Sequence, residues 1–157
     1  MPLIRQEPAT GAASRALFAE YMALVRGRLG DDFTPSEAIF ATEDAFDGPG
    51  AAWLVVYEDE RAVACGGLRA LEPHVGEIKR MFVSAAARRR GHARTLLAEL
   101  ERLAREMGYD RVRAYTTEVL REARALYDDA GYRRIDAATV DDRADDIWLE
   151  KRLEGDA

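Results

Sequence analysis

The hydrophobic pattern of the chain changes its period at residue 92, and this change constrains the fold more than any other feature. The segment from Gly76 to Val83 has the pattern of a strand. From His92 onward, apolar residues recur every three or four positions up to Met107, and Gly108 follows them. This spacing predicts an amphipathic helix that ends at the glycine. A small, basic segment, 84–91, joins the two, so the sequence predicts a strand, a loop and a long helix in succession.

The remaining segments predict a mixed α/β (α+β) fold. An acidic connection, Glu58 to Glu60, predicts an antiparallel hairpin between its flanking strands. Gly30 is predicted to end the first helix, and Asp47 to Gly50 to form a turn. The predicted strands are 3–7, 52–57, 61–68, 76–83, 110–116, 132–135 and 146–153, and the predicted helices are 12–28, 34–41, 92–107 and 121–130. Antiparallel strands followed by alternating strands and helices indicate one mixed sheet.

Length and charge limit the possible functions. The chain has 157 residues, the usual size of one domain, so residues 1–157 are predicted to form a single domain. A net charge of −6 disfavours nucleic-acid binding, which relies on excess lysine and arginine. No segment approaches the ~20 apolar residues of a membrane span, and the N-terminus lacks a signal pattern. A single cysteine, Cys65, fits a reducing compartment. We therefore expect a cytoplasmic protein without a membrane partner.

The basic loop before the long helix is the main candidate for ligand binding. The first turn of a helix has amides without intrahelical partners and positive potential, so it binds anions such as a pyrophosphate. Gly91 allows close backbone approach, Ala93 is small, and the neighbouring arginines add charge-assisted hydrogen bonds. Phosphate loops of the Walker and dinucleotide types need further glycines that this loop lacks. By itself, such a loop is more often a solvated surface turn.

Two motifs in the second half of the chain carry a family resemblance. The segment Glu77 to Val83, followed by Arg88-Arg89-Arg90-Gly91-His92-Ala93, resembles the acetyl-CoA motif of GNAT acetyltransferases, Gln/Arg-x-x-Gly-x-Gly/Ala. The later segment Ala123 to Tyr132 is similar to the second motif of that family, Ala-x-x-Leu-Tyr-x-x-x-Gly-Phe/Tyr. The resemblance is clear from about residue 50 to residue 153. It implies a mostly antiparallel sheet of six to seven strands flanked by about four helices.

The resemblance also implies a cofactor, acetyl-CoA, and roles for individual residues. Tyr127 matches the family's general acid near the coenzyme sulfur, although a tyrosine on a helix's inner face is also a common core residue. Glu77 matches a general-base glutamate, although a water chain or a solvated strand glutamate is an alternative. Glu118 is a lesser candidate. The residues expected to bind the cofactor are Met81, Phe82 and Val83 by backbone, then Arg88, Arg89, Arg90, Gly91, His92, Ala93 and Arg94, together with Tyr127.

One position departs from the family pattern. Leu120 stands where many members carry an asparagine that bonds the cofactor arm. His92 is interpreted as a surface residue near the phosphates, His74 as a turn residue, and Cys65 as a small buried side chain. Two distant histidines and one cysteine give no recognisable metal-site spacing.

The resemblance implies an N-acetyltransferase that acts by direct attack of a primary amine on the thioester. The acceptor would be a small molecule or a peptide or protein, and a cationic one could be steered by the acidic segment 31–47. A non-catalytic acyl-CoA-binding sensor is the alternative, left open by Leu120. Exposed sheet edges also make a homodimer a possibility to test.

Overall fold

A computed structural model of the chain describes residues 2–30, 46–117, 121–136 and 146–153. The helices are α1 (Ala12–Leu29), α2 (His92–Glu106) and α3 (Arg121–Asp129), with a short 3-10 turn at Ala85–Ala87. The strands are β1 (Leu3–Gln6), β2 (Ala52–Glu58), β3 (Arg61–Glu72), β4 (Val75–Val83), β5 (Arg111–Thr117), β6 (Arg133–Ile135) and β7 (Asp146–Arg152). The predicted helix at 34–41 lies outside the described residues.

The seven strands form one sheet in the order β1-β2-β3-β4-β5-β7-β6. All neighbours are antiparallel except β4 and β5, which are parallel. A parallel pair needs a crossover connection, and the long helix α2 supplies it. The predicted mixed, mostly antiparallel sheet of six to seven strands is confirmed.

The hairpins follow from local backbone geometry, and one of them is longer than predicted. Asp59 and Glu60 both have positive φ (48° and 67°), as a tight turn matched to the strand twist requires. β3 continues to Glu72 and not to the predicted end at residue 68. The sequence predicts an end at Leu68 because the charge of Arg69 breaks the apolar run. In the structure Arg69 pairs across the strands with Glu77, at 2.7 Å from Nε to Oε1, so the ladder continues.

Helices cover both faces of the sheet. On one face α2 packs its leucines against the central strands, with Leu96, Leu97 and Leu100 fully buried. On the other face α1 packs on β3 and β4, where the indole Nε1 of Trp53 donates to Oγ of Ser14 at 2.7 Å. No helix in the described ranges has the length and hydropathy needed to cross a membrane. The middle of the sheet is therefore covered on each face by a cluster of buried hydrophobic residues.

Candidate functional site

A cleft opens where the parallel strands β4 and β5 separate. Their register pairs begin at Val75 with Arg111 and end at Ile78 with Ala114, although both strands continue beyond these positions. β4 also bulges against β3 just after Lys79, where Arg80 has a φ of 56°. Because bulged residues leave the ladder, this stretch of backbone bends away from its neighbour. The separation creates a cavity of about 630 Å³.

The cavity brings together most of the residues that the sequence singled out. Its wall includes the predicted backbone strand of β4 and the basic loop, as well as the tyrosine of α3. The predicted residues that line it are Met81, Phe82, Val83, Arg88, Arg89, Gly91, His92, Ala93, Arg94 and Tyr127. Two predicted residues, Arg90 and Glu77, are not part of its lining.

The basic loop ends in a helix start that is shaped for an anion. Gly91, the residue before α2, has a φ of 80° in the left-handed region, which favours glycine. A Cβ at this position would meet nothing within 4 Å, so the backbone faces open space. The amide and the hydroxyl of Thr95 both donate to the Gly91 carbonyl at 3.0 Å. The amides of His92, Ala93 and Arg94 belong to the first turn of the helix, where amides have no intrahelical acceptor, and all three residues line the cavity.

His92 is buried, contrary to its interpretation as a surface residue. It is only 5% exposed, and its Nε2 lies 2.5 Å from Oε1 of Glu58, at the end of β2. Arg90 Nη1 donates to the other oxygen of the same carboxylate at 2.6 Å. The hydrogen bond from His92, and then Arg90, lowers the pKa of Glu58. Glu58 thus ties the loop and the first residue of α2 to the sheet, a contact that local sequence gave no means of finding.

Tyr127 forms part of the cavity wall from α3. The residue is 4% exposed, and burial raises the pKa of its phenol. Its ring packs at 5.1 Å, centroid to centroid, against Tyr132. The hydroxyl of Tyr132 donates to Oε2 of Glu101 at 2.9 Å, and Lys151 Nζ donates to Oε1 at 2.8 Å. A buried polar network therefore supports the ring that lies behind Tyr127.

Glu77 lies on β4 but does not line the cavity. It is 2% exposed and pairs with Arg69 as described above, so it is not a solvated strand glutamate. Its register partner on β5 is Arg113, which pairs with Glu150 at 2.7 Å. Glu77 therefore belongs to a row of alternating charges on the α1 face of the sheet.

Several lining residues were not predicted from the sequence. Lys79 is 8% exposed, and burial lowers the pKa of its ammonium group to about 8. Period-two alternation from Glu77 would have placed it on the same face of β4. Tyr115 and Thr116 at the end of β5 also line the cavity, as do Tyr21 and Leu24 of α1. These residues come together only through the sheet order, which periodicity does not reveal.

An ion pair between two helices borders the cleft. Arg28, in the last turn of α1, contacts both carboxylate oxygens of Glu122 in the first turn of α3, at 2.6 and 2.5 Å. Glu122 lines the cavity, and this hydrogen bonding lowers its pKa to about 2. The pair fixes the N-terminal turn of α3, the helix that carries Tyr127.

The other sequence candidates lie elsewhere. Glu118 and Leu120 fall outside the described residues. Cys65 is a buried free thiol, and burial raises its pKa to about 12, which confirms its interpretation as a small core residue. His74 occupies the turn between β3 and β4 with a φ of 66°, as predicted.

Comparison with known proteins agrees with this geometry. Residues 16–132 match the acetyltransferase (GNAT) family. The chain is 39% identical over 97 residues to the uncharacterized N-acetyltransferase YjgM of Escherichia coli, an alignment that covers 59% of this chain and 58% of that protein. It is 28% identical to the uncharacterized N-acetyltransferase YsnE of Bacillus subtilis, over 76% of this chain and 82% of the relative. A GNAT acetyltransferase structure from Staphylococcus aureus matches the fold with a TM-score of 0.79 at 16% identity, over 98% of this chain and 100% of its own.

Proposed function

Because the chain belongs to the acetyltransferase (GNAT) family, a family of acetyl-CoA-dependent enzymes, we propose that it transfers an acetyl group from acetyl-CoA to a primary amine. The acceptor is a small molecule or a peptide or protein, and the amine attacks the thioester directly. The observation that carries this proposal is the cleft between β4 and β5. It has a helix start at one end and a buried tyrosine in its wall.

Groups in the cleft match both the pyrophosphate and the pantetheine arm of the cofactor. Its pyrophosphate would accept hydrogen bonds from the first amides of α2, with Arg88 and Arg89 supplying opposite charge. Its pantetheine arm would run along the backbone of Met81 to Val83, where β4 has left β5. Both assignments use groups that already face the cavity.

Two residues are assigned to proton transfer. The raised pKa of Tyr127 keeps its phenol protonated at neutral pH, so that it can donate to the departing thiolate. Glu77 is the proposed base for the acceptor amine, acting through a water molecule because its side chain does not line the cavity. The amine nitrogen bonds to the carbonyl carbon, the C–S bond breaks, and coenzyme A leaves as a thiol.

Two measurements test the proposal. Calorimetry of the purified chain with acetyl-CoA should give saturable heat. Gly91→Glu should reduce the affinity at least about tenfold, because it places a carboxylate and a strained φ at the phosphate site. A panel of amines with detection of released thiol should identify an acceptor. Absence of binding would refute the proposal, and binding without turnover on any amine would favour the sensor.

The catalytic assignment of Tyr127 has its own control. Tyr127→Phe should lower kcat roughly 10²-fold while leaving acetyl-CoA affinity nearly unchanged. Tyr57→Phe removes a hydroxyl that contacts Glu7 at 2.8 and 2.9 Å; neither residue lines the cavity, and the variant should not alter kcat. Equal rates in the wild type and Tyr127→Phe would remove the acid role.

A further inference from the structure

The chain contains only two lysines among 23 basic residues, Lys79 and Lys151, and one of them lies inside the cleft. Lys79 lines the cavity at the last position of β4 before the bulge. Lys151 lies on β7, paired with Glu101, and is not part of that lining. The proposed function gives Lys79 no role.

The register of β4 defines where Lys79 points. Lys79 pairs with Gly67 of β3, and a Cβ on Gly67 would point at the rings of Phe46 and Trp53. Lys79 therefore lies on the sheet face that carries α1, the same face as Glu77 two residues earlier. It stands between the proposed base and the bulged backbone assigned to the cofactor arm.

We propose that Lys79 is a self-acetylation site, modified by the acetyl-CoA that occupies the same cleft. The neutral Nζ attacks the thioester carbonyl carbon and a C–N bond forms. The C–S bond breaks, the thiolate takes up the proton lost by the nitrogen, and the products are acetyl-lysine and free coenzyme A. This inference rests on the proposed function, because that function places the thioester in the cavity.

The environment of Lys79 supports the nucleophile that this step requires. Burial lowers the pKa of its amine to about 8, so about a quarter is neutral at pH 7.5, against about one part in a thousand for an exposed lysine. Nearby Glu77 opposes this shift, whereas Arg69 and Arg80 reinforce it. Acetylation would remove a positive charge beside Glu77 and add an acetyl group to the wall of the cleft. The modified chain should therefore acetylate other amines more slowly.

The experiment uses the full chain, acetyl-CoA and intact-mass analysis followed by peptide mapping. We expect one acetyl group on Lys79, at a rate independent of protein concentration because donor and acceptor share one molecule. Lys79→Arg, which keeps the charge, should stay unmodified, and Lys151→Arg should be modified like the wild type. Gly91→Glu should slow the reaction at low acetyl-CoA concentration.

Calorimetry with acetyl-CoA distinguishes failure of the self-acetylation proposal from failure of the proposed function. If acetyl-CoA binds but Lys79 remains unmodified, the self-acetylation proposal is overturned while the proposed function stands. Equal labelling of Lys79 and Lys151 also overturns it, because it would indicate chemistry in solution and not in the cleft. If acetyl-CoA does not bind, both proposals fail together.

Discussion

Alanine substitution at two adjacent glycines of β3 should affect different properties, ligand affinity at Gly66 and stability at Gly67. A Cβ on Gly66 would lie 2.5 Å from Sδ of Met81, a residue of the cleft wall, and 3.3 Å from Cδ1 of Leu100. Ordinary contacts are about 3.5–4.0 Å, so the sulfur must move by about 1 Å. Because methionine is flexible, we expect Gly66→Ala to lower the free energy of unfolding by less than about 1 kcal/mol. The displaced side chain should weaken acetyl-CoA binding several-fold.

Gly67→Ala meets rigid neighbours. Its Cβ would contact Phe46 and lie 2.7 Å from Cε3 of Trp53, two buried rings packed 4.9 Å apart, centroid to centroid. Because these rigid rings cannot move aside, the overpacking should lower the free energy of unfolding by about 2–3 kcal/mol and Tm by roughly 5–10 °C.

The assay for both variants combines urea unfolding with calorimetric titration of acetyl-CoA. Gly66→Ala should show a shifted affinity at nearly constant stability, and Gly67→Ala a shifted stability with affinity retained below its Tm. If Gly66→Ala lost as much stability as Gly67→Ala while its affinity stayed the same, the placement of Met81 in the cofactor wall would be refuted.

Three further predictions concern the polar contacts around the cleft. Glu58→Gln should raise KM for acetyl-CoA several-fold with little change in kcat, since it weakens the contacts that hold His92 and Arg90. Glu60→Gln, at an exposed position, is the control. Equal KM values in the two variants would contradict the proposed role of these contacts. Glu122→Gln should lower unfolding free energy at pH 7 by at most about 1 kcal/mol, because the Glu122 side chain is 53% exposed. The pKa of Glu122 in the folded state is depressed to about 2, so its contribution to stability is present above pH 4.5 and disappears as the pH falls toward 2. If the urea unfolding curves of the wild type and the variant still differed at pH 2, the Arg28 contact would not be the source of the difference. Tyr132→Phe should lower the free energy of unfolding by about 1.5–3 kcal/mol, as expected for the loss of a buried hydrogen bond to a charged group. Tyr57→Phe, at a part-buried hydrogen bond, should lower it by less than about 1 kcal/mol. Equal losses in urea unfolding would exclude burial as the cause of the difference.

The regular elements and the basic loop could be predicted because their signals are local. The period change at His92 located the start of α2, and the Gly91 before it has the left-handed backbone that favours glycine. The antiparallel hairpin around Asp59 followed from its acidic turn. Each of these inferences depends on a few consecutive residues.

The remaining features depend on contacts between distant segments. His92 is buried because Glu58, 34 residues earlier, contacts its ring. β3 extends past Leu68 because Arg69 finds Glu77. Lys79 lines a cavity because β4 separates from β5, and this separation makes it a candidate for self-acetylation. Sequence periodicity gives the face of a residue but not what lies opposite it.

The short parallel contact has a consequence for how the protein resists opening. Four residue pairs join β4 to β5, so β1–β4 and β5–β7 form two sub-sheets, each held together by antiparallel neighbours. The network of Glu101 with Tyr132 and Lys151 is a second brace, from α2 to the far sub-sheet. Acetyl-CoA bound in this gap, as proposed, would contact both sub-sheets and hold them together. Because a ligand that binds only the folded chain stabilises it, the free energy of unfolding should rise with the logarithm of acetyl-CoA concentration.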